Sequence, residues 1–485
     1  MTNNATTNSS YDAVVIGTGV GGSTFAYALA RRGLNVAVIE RGDYFKPEVK
    51  DLVPLHLHYF QDLPVIGGQT KSFGAAMYRF RESDFEPTEM ENGVSPGWPI
   101  TYAELEPYYC EAEKLFKVHG SSINDTTEPP RSQPWPHDPI PHQGPARELV
   151  ERVTERAGFP VSHIPRAIDY DPLNGGKCVL CRFCDAYYCP RDAKMDAELA
   201  ALRPAVATGN VTLLTKTECL RVLTTPDGKK VTGVVLRSDG GSEFTLNTPI
   251  VASGCGLRET PLLLWRSRTS QHPKGLANAS GALGRYWASH TQGWVFPMKL
   301  GVQAENFHQK TFAINSFYHA GPDWKYPMGV IQAAGSIEPI GMSRRYRYAA
   351  EWIIKNSFQT FVMTEALPGP NTGYALSDDG AKLIGMPIKN KRTFAKLRRH
   401  AAKIFRAAGY TTFVPPMEGN FHNVGTARMG ADPATSVVDG NCKAHDIDGL
   451  YVVDSCVLPT SGALNTGLTI AAVALRAAQS APLPA

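Results

Sequence analysis

Residues 11–40 constrain the fold of this chain more than any other segment. YDAVVI, residues 11–16, is a short apolar run with β-branched residues, the composition of a buried strand. GTGVGG follows at 17–22. Then comes STFAYALARRG, where Ala26, Leu29 and Ala30 take helical spacing and Gly33 ends the helix. LNVAVIERG supplies a second strand that closes on Glu40. Strand, glycine turn, helix and strand in close succession make a parallel-sheet unit with a right-handed crossover. Gly17, Gly19 and Gly22 form G-x-G-x-x-G at the strand-to-helix junction. The first glycine makes the turn, and the second lets a pyrophosphate approach the backbone. The third allows close helix packing, and the helix N-terminus offers N–H donors to the anion. Glu40 stands where an acidic side chain takes ribose hydroxyls. The unit predicts dinucleotide binding, with FAD and NAD both open.

Further strands are expected at 211–215 (VTLLT) and 231–236 (VTGVVL), flanking a turn at Asp227 and Gly228. Others are expected at 249–253, running into another glycine turn, and at 449–454. From Asn465 the chain reads as one apolar helix with Asn465 at its N-cap, whose dipole would stabilise negative charge at a cofactor's electron-rich edge. Between these pieces lie a Pro-rich stretch at 128–145 and an irregular middle at 289–390. The order implies a discontinuous α/β nucleotide domain with a second domain interleaved. Hydrophobic residues make up 43% of the chain and charged residues 19%, which excludes global disorder. A net charge of +4 gives no electrostatic case for nucleic acid. No apolar run reaches the ~18 residues of a membrane span. Residues 1–10 carry no export signal and read as a disordered tail, so a cytoplasmic location is expected, with export alongside a partner subunit as the alternative.

Two more segments carry candidate chemistry. GGQTKSFGAAMYR, at 67–79, has small residues at Gly67, Gly68, Gly74, Ala75 and Ala76, suited to backbone packed against a flat or phosphorylated group. Its bland reading is a glycine-rich surface loop. HNVGTARMG, at 422–430, places His422 in a polar loop just after Asn420, and a structural histidine is the alternative there.

With these residues the sequence resembles the glucose–methanol–choline (GMC) family of FAD-dependent oxidoreductases, and is similar to its bacterial sugar dehydrogenases and oxidases. The resemblance covers GTGVGG with Glu40, the GGQTKSFGAAMYR loop, WPITYAELEPYY from Trp98, NVTLLT from Asn210, VASGCG from Val251, and the HNVGT to PTSGALNTGLTIAA end. It implies a Rossmann-like FAD-binding domain from 11–100, 195–285 and 422–485. A substrate domain with an antiparallel sheet would take 101–194 and 286–421. It also implies that His422 and Asn465 are the two active-site residues, of the His/Asn type. Cofactor contacts would include Gly68, Thr70, Gly74 and Ala75 in the loop, and Ser253 in VASGCG. Cys219 would clamp the adenine through its backbone, Asp454 would lie near the pyrophosphate and ribityl chain, and Thr466 near the flavin pyrimidine edge. Some relatives attach FAD through a histidine in the loop near Gly68; Ser72 stands at that place here, so non-covalent FAD is expected.

The implied reaction is alcohol oxidation, of a sugar or glycoside in the first instance. His422 accepts the hydroxyl proton while hydride leaves for flavin N5, and Asn465 donates a hydrogen bond to the developing alkoxide. Oxygen or another electron acceptor reoxidises the flavin, with an electron-transfer or helper subunit as a candidate partner. The competing classes are a GMC-fold lyase with structural FAD and a flavin-binding electron-transfer subunit. Nine cysteines are present, and Cys178, Cys181, Cys184 and Cys189 form C-x2-C-x2-C-x4-C-P. That spacing is one residue wider at the end than a bacterial ferredoxin run. Iron–sulfur ligation, zinc, a disulfide and no metal all stay open. His290 reads as structural, with a role near the pocket as the alternative.

Overall fold

The computed structural model describes residues 10–45, 64–304, 307–337 and 344–483. Apart from Ser10, the expected N-terminal tail lies outside them. Along the chain run β1 (Ala13–Ile16), α1 (Val20–Arg31), β2 (Val36–Ile39), β3 (Val211–Leu214) and β4 (Val251–Ser253). They are followed by β5 (Ala288–Met298), β6 (Phe312–Ile314), β7 (Val330–Ala333), β8 (Thr360–Leu367) and α2 (Lys391–Ala407). The last elements are β9 (Glu418–Val424), β10 (Leu450–Val452) and α3 (Gly467–Ser480).

Five strands form a parallel sheet in the order β10-β4-β1-β2-β3. β1, β2, β4 and β10 are buried throughout, which explains their near-continuous apolar sequences. α1 and α3 pack on each other beside this sheet. A Cβ on Gly21 would overlap the Val453 carbonyl, so that glycine permits close contact between α1 and the end of β10.

One expected pairing differs. Residues 231–238 do not share a hairpin with β3. Their partner is Thr217–Thr224, in a separate antiparallel sheet completed by Glu243–Asn247. Lys216, at φ 51°, redirects the chain between β3 and that strand.

The middle that reads as irregular in sequence builds most of a large antiparallel sheet, the sheet that the family resemblance implied for the substrate domain. Its order is Thr411–Phe413, β5, β8, β7, β6, Ser162–His163, with β9 also paired to β5. These strands are cryptic in sequence because they bury polar residues: Ser289, His290, Thr291 and Gln292 are all buried. α2 covers one face, where a Cβ on Gly293 would run into the Phe394 ring. Gly293, Val362 and Ile331 share that face across β5, β8 and β7. By alternation, His290, Gln292 and Trp294 lie on the other face with Met363, Phe361 and Gln332. Trp294 and Phe361 meet there edge to face, ring centroids 5.9 Å apart. That face looks toward the loop preceding α3, because His290 Nε2 reaches the Ser461 carbonyl at 2.9 Å.

Candidate active site

The C-terminal edge of the parallel sheet, where ligands of such sheets bind, carries a polar cradle. Gly17 turns at φ 95°, and a Cβ there would crowd the Gly254 carbonyl. A Cβ on Gly22 would overlap the Gly17 carbonyl, whereas one on Gly19 would meet nothing within 4 Å. The three glycines thus divide into turn, open approach and close packing. Glu40 follows β2. Its carboxylate accepts from the Thr18 hydroxyl (2.6 Å), the Thr18 amide (3.2 Å) and the Gly42 amide (2.9 Å). Burial pushes its pKa up, and those hydrogen bonds oppose the rise. The Thr217 amide bonds the Glu40 carbonyl at 2.9 Å, which brings the strand carrying Cys219 beside it. At the end of β10, Asp454 accepts from the Gly256 amide (2.9 Å), Thr260 (2.7 Å) and the Cys456 amide (2.7 Å). Ser253 is buried and bonds Thr260 at 2.9 Å. Open backbone above Gly19, the helix N-terminus behind it and an acidic group one strand over fit a dinucleotide.

The 67–79 loop folds onto this cradle. The Gly67 amide donates to Thr18 Oγ1 at 3.1 Å, and a Cβ on Gly68 would stand 3.6 Å from the Gly19 Cα. Thr70 Oγ1 accepts the Ala197 amide at 3.0 Å. Lys71 is buried between Asp196 and Glu198. Ser72 donates to the Gln69 carbonyl at 3.1 Å. Ala75 is buried at φ 54°. Gly74 shows what its missing side chain makes room for: a Cβ there would overlap the Asp185 carboxylate and the Lys310 ammonium.

His422 does not sit in a loop. It lies on β9 at a bulge, where Val424 pairs with Ala288 and Phe421 with His290. One extra residue on β9 puts His422 at φ 53° and re-aims its ring. Asn465 is not the N-cap of α3 either. Thr466 holds that position and the helix starts at Gly467, so the Asn465 side chain is free to reach His422 Nε2 at 3.1 Å. The structure also draws in His290, expected to be structural: its Nδ1 lies 2.9 Å from His422 Nδ1.

These contacts assign the tautomers. The Ser461 carbonyl can only accept, so His290 Nε2 carries hydrogen. Burial holds the His290 pKa down at about 4, so the ring is neutral near pH 7 and its Nδ1 is an acceptor. His422 Nδ1 must therefore donate to it. Burial first, then His290, pushes the His422 pKa well below its ordinary value, so this ring is neutral too. Its Nε2 is left with a bare lone pair facing the Asn465 amide N–H. Asn465 Oδ1 is buried without a partner. A basic nitrogen and an amide donor thus stand side by side, the pair an alcohol O–H requires.

The four clustered cysteines are unpaired thiols. Burial pushes Cys178 up to about 12 and raises Cys181. Their segment is tied down through backbone carbonyls. Lys194 donates to those of Cys184 and Tyr187, at 3.3 and 2.6 Å, and His308 Nδ1 donates to that of Cys181 at 2.8 Å. Among the described residues, no three His, Cys, Asp or Glu side chains gather to hold a metal ion. No helix among them is long and apolar enough to cross a membrane. Sequence reasoning missed Thr18 and the Asp185–Lys310 pair against the loop. Only Thr18, set between two glycines of the motif, had a local signal.

Comparison with known proteins agrees with this arrangement. The N-terminal and C-terminal GMC oxidoreductase family models match residues 64–292 and 387–474, and a model of FAD dependent oxidoreductases matches 12–47. Paromamine 6'-oxidase of Streptomyces fradiae is 29% identical, over 97% of this chain and 91% of its own. The fructose dehydrogenase large subunit of Gluconobacter japonicus is 25% identical, over 97% of each. Among solved structures, pyridoxine 4-oxidase from Mesorbium loti has the same fold, with a TM-score of 0.67 at 18% identity over 96% of this chain and 98% of that one. Formate oxidase likewise reaches 0.67 at 15% identity, over 98% of both. With the glycine turn inside the stretch that matches FAD dependent oxidoreductases, and more than half of its length matched by the two GMC models together, this chain belongs to the GMC family of FAD-dependent oxidoreductases acting on CH–OH groups.

Proposed function

We propose that the protein oxidises a hydroxyl group of a sugar or related polyhydroxylated compound, with His422 as the base. The observation that carries this reading is the chain of contacts from the Ser461 carbonyl through His290 and His422 to Asn465. It leaves one unprotonated, desolvated nitrogen next to one amide donor. The sugar class draws support from the relatives named for paromamine and fructose.

Gly17, Gly19, Gly22 and the first turn of α1 would hold the FAD pyrophosphate, and Glu40 a ribose. Cys219 and Ser253 would line the adenine side, Asp454 the ribityl side, and Gly68, Thr70, Gly74, Ala75 and Thr466 the flavin end. When bound, FAD supplies the hydride acceptor. The protein's own part is proton handling and orientation. His422 Nε2 takes the hydroxyl proton, and the imidazolium so formed keeps its Nδ1–H directed at His290. The Asn465 amide N–H stabilises the oxygen as charge develops. Burial of both rings keeps water from protonating the base.

Anaerobic titration of the FAD-loaded protein with a panel of aldoses, ketoses, alditols and simple alcohols tests the reading. Loss of oxidised flavin absorbance with at least one sugar or alditol is expected. A flavin that none of them bleaches would overturn it.

A further inference from the structure

Lys310 is a buried ammonium whose donors are only partly used. It pairs with Asp185, the side chains being 2% and 16% exposed. The other Asp185 oxygen accepts the Gly335 amide at 2.5 Å. An ammonium has three N–H groups. Among the described residues Asp185 alone accepts one of them. The ammonium lies 5.6 Å from the centre of the Phe361 ring, on the sheet face that also carries His290. Gln332 pairs with Phe361 on that face. It is fully buried, and neither its Oε1 nor its Nε2 has a partner. Gly74 abuts the ion pair, and the charges of Lys310 and Asp185 both act on His422. The group therefore lies beside the active-site loop and within electrostatic reach of the base.

We infer that Lys310, Asp185 and Gln332 form a hydroxyl-binding subsite, which takes non-reacting hydroxyls of a sugar or alditol while another of its hydroxyls faces His422. The inference rests on the alcohol-oxidising reading above. Buried polar atoms left without partners are costly, and charged ones most of all. A polyol relieves Lys310 and Gln332 at once, while Asp185, whose two oxygens already accept from Lys310 and the Gly335 amide, holds the ammonium in place. Its hydroxyls accept from the ammonium, and both accept from and donate to the amide. Phe361 and Trp294 offer flat apolar surface to the C–H faces between them. The cysteine-rich segment, anchored through its backbone carbonyls, delivers Asp185 to a lysine 125 residues away.

The test uses the FAD-loaded enzyme and its Lys310→Met and Gln332→Leu variants. Half-saturation for flavin reduction is measured with the best alditol or sugar and with 1-butanol, which lacks further hydroxyls. Loss of a hydrogen bond from a charged donor predicts a rise of about 10- to 100-fold for the polyol in Lys310→Met. Gln332→Leu should raise it about 5- to 10-fold, with butanol moving less than about 3-fold in both. Gln332→Leu should also melt no lower than wild type, because it removes two unpartnered buried atoms. Equal losses for polyol and butanol, or an unchanged polyol half-saturation, would overturn the inference. So would a shift confined to the flavin midpoint potential in Lys310→Met, since the ammonium would then serve the cofactor. If Lys310→Met fails to fold, Gln332→Leu decides. If no alcohol reduces the wild-type flavin, the functional reading fails by itself. Thermal stabilisation by the polyols, present in wild type and lost in Gln332→Leu, still decides the subsite.

Discussion

His290 offers the most discriminating perturbation, because its proposed effect is indirect. It touches the base, not the substrate. In His290→Leu, the hydrogen on His422 Nδ1 loses its acceptor at 2.9 Å inside a buried site. An unpaired buried N–H costs about 1–3 kcal/mol. The alternative tautomer escapes that penalty: it leaves only an acceptor lone pair at Nδ1, and its Nε2–H is accepted by the otherwise unpartnered Asn465 side-chain oxygen once that amide turns over. At about 1.4 kcal/mol per factor of ten, the base-competent population drops roughly 5- to 150-fold. Anaerobic stopped-flow reduction by the best alcohol should slow by about that factor while bound FAD per chain stays the same. His290→Asn, whose side-chain oxygen can accept from His422, should recover part of the loss. His422→Ala should slow reduction more, about 10²–10⁴-fold. The pH profile supplies a second check. The rate needs neutral His422, so it rises as pH climbs through the depressed pKa, and the acidic limb must lie below pH 6.5. Reduction within about 3-fold of wild type in His290→Leu, or a wild-type limb above pH 7, would refute the tautomer argument.

Acid stability follows from the same burial. His290 and His308 have pKa values lowered to about 4 and about 3 from 6.5, so the unfolded chain binds more protons than the folded one in that interval. Urea-unfolding free energy should be full above pH 6.5 and fall by about 1.4 kcal/mol per pH unit for each ring below it, and a flat profile would contradict this. Gly74→Ala should break the Asp185–Lys310 pair and lower stability by about 3–5 kcal/mol in a denaturant melt, and a loss below about 1 kcal/mol would mean the loop shifts freely. Acid precipitation should release FAD into the supernatant, since the 67–79 loop contains no histidine to attach it; yellow colour held by the pellet would contradict it.

Much of the glycine cradle proposed to hold the cofactor was legible because its requirements are local. A tight turn with an open approach and close helix packing demands glycine at Gly17, Gly19 and Gly22, and these needs are met within one strand, one turn and one helix. Buried parallel strands likewise announce themselves as apolar runs. The family resemblance implied the large antiparallel sheet, but its strands were not legible as a pattern, because β5 buries Ser289, His290, Thr291 and Gln292 where an apolar pattern would be expected. Motif likeness marked His422 and Asn465, but not how they meet. Their geometry depends on an extra residue in β9 and on α3 starting after Thr466, neither of which leaves a sequence signature.

What the sequence by itself determined is the strand–glycine–helix unit and the acidic strand end at Glu40, and its motifs singled out two candidate active-site side chains. What only the tertiary structure decided is their company. His290 meets His422 from 132 residues away, and Lys310 meets Asp185 from 125. The physical reason is range. A backbone turn is set by the residues that make it. A contact across a sheet is set by strand register, and a shift of one residue would carry His290 and Gln332 to the opposite face, against α2.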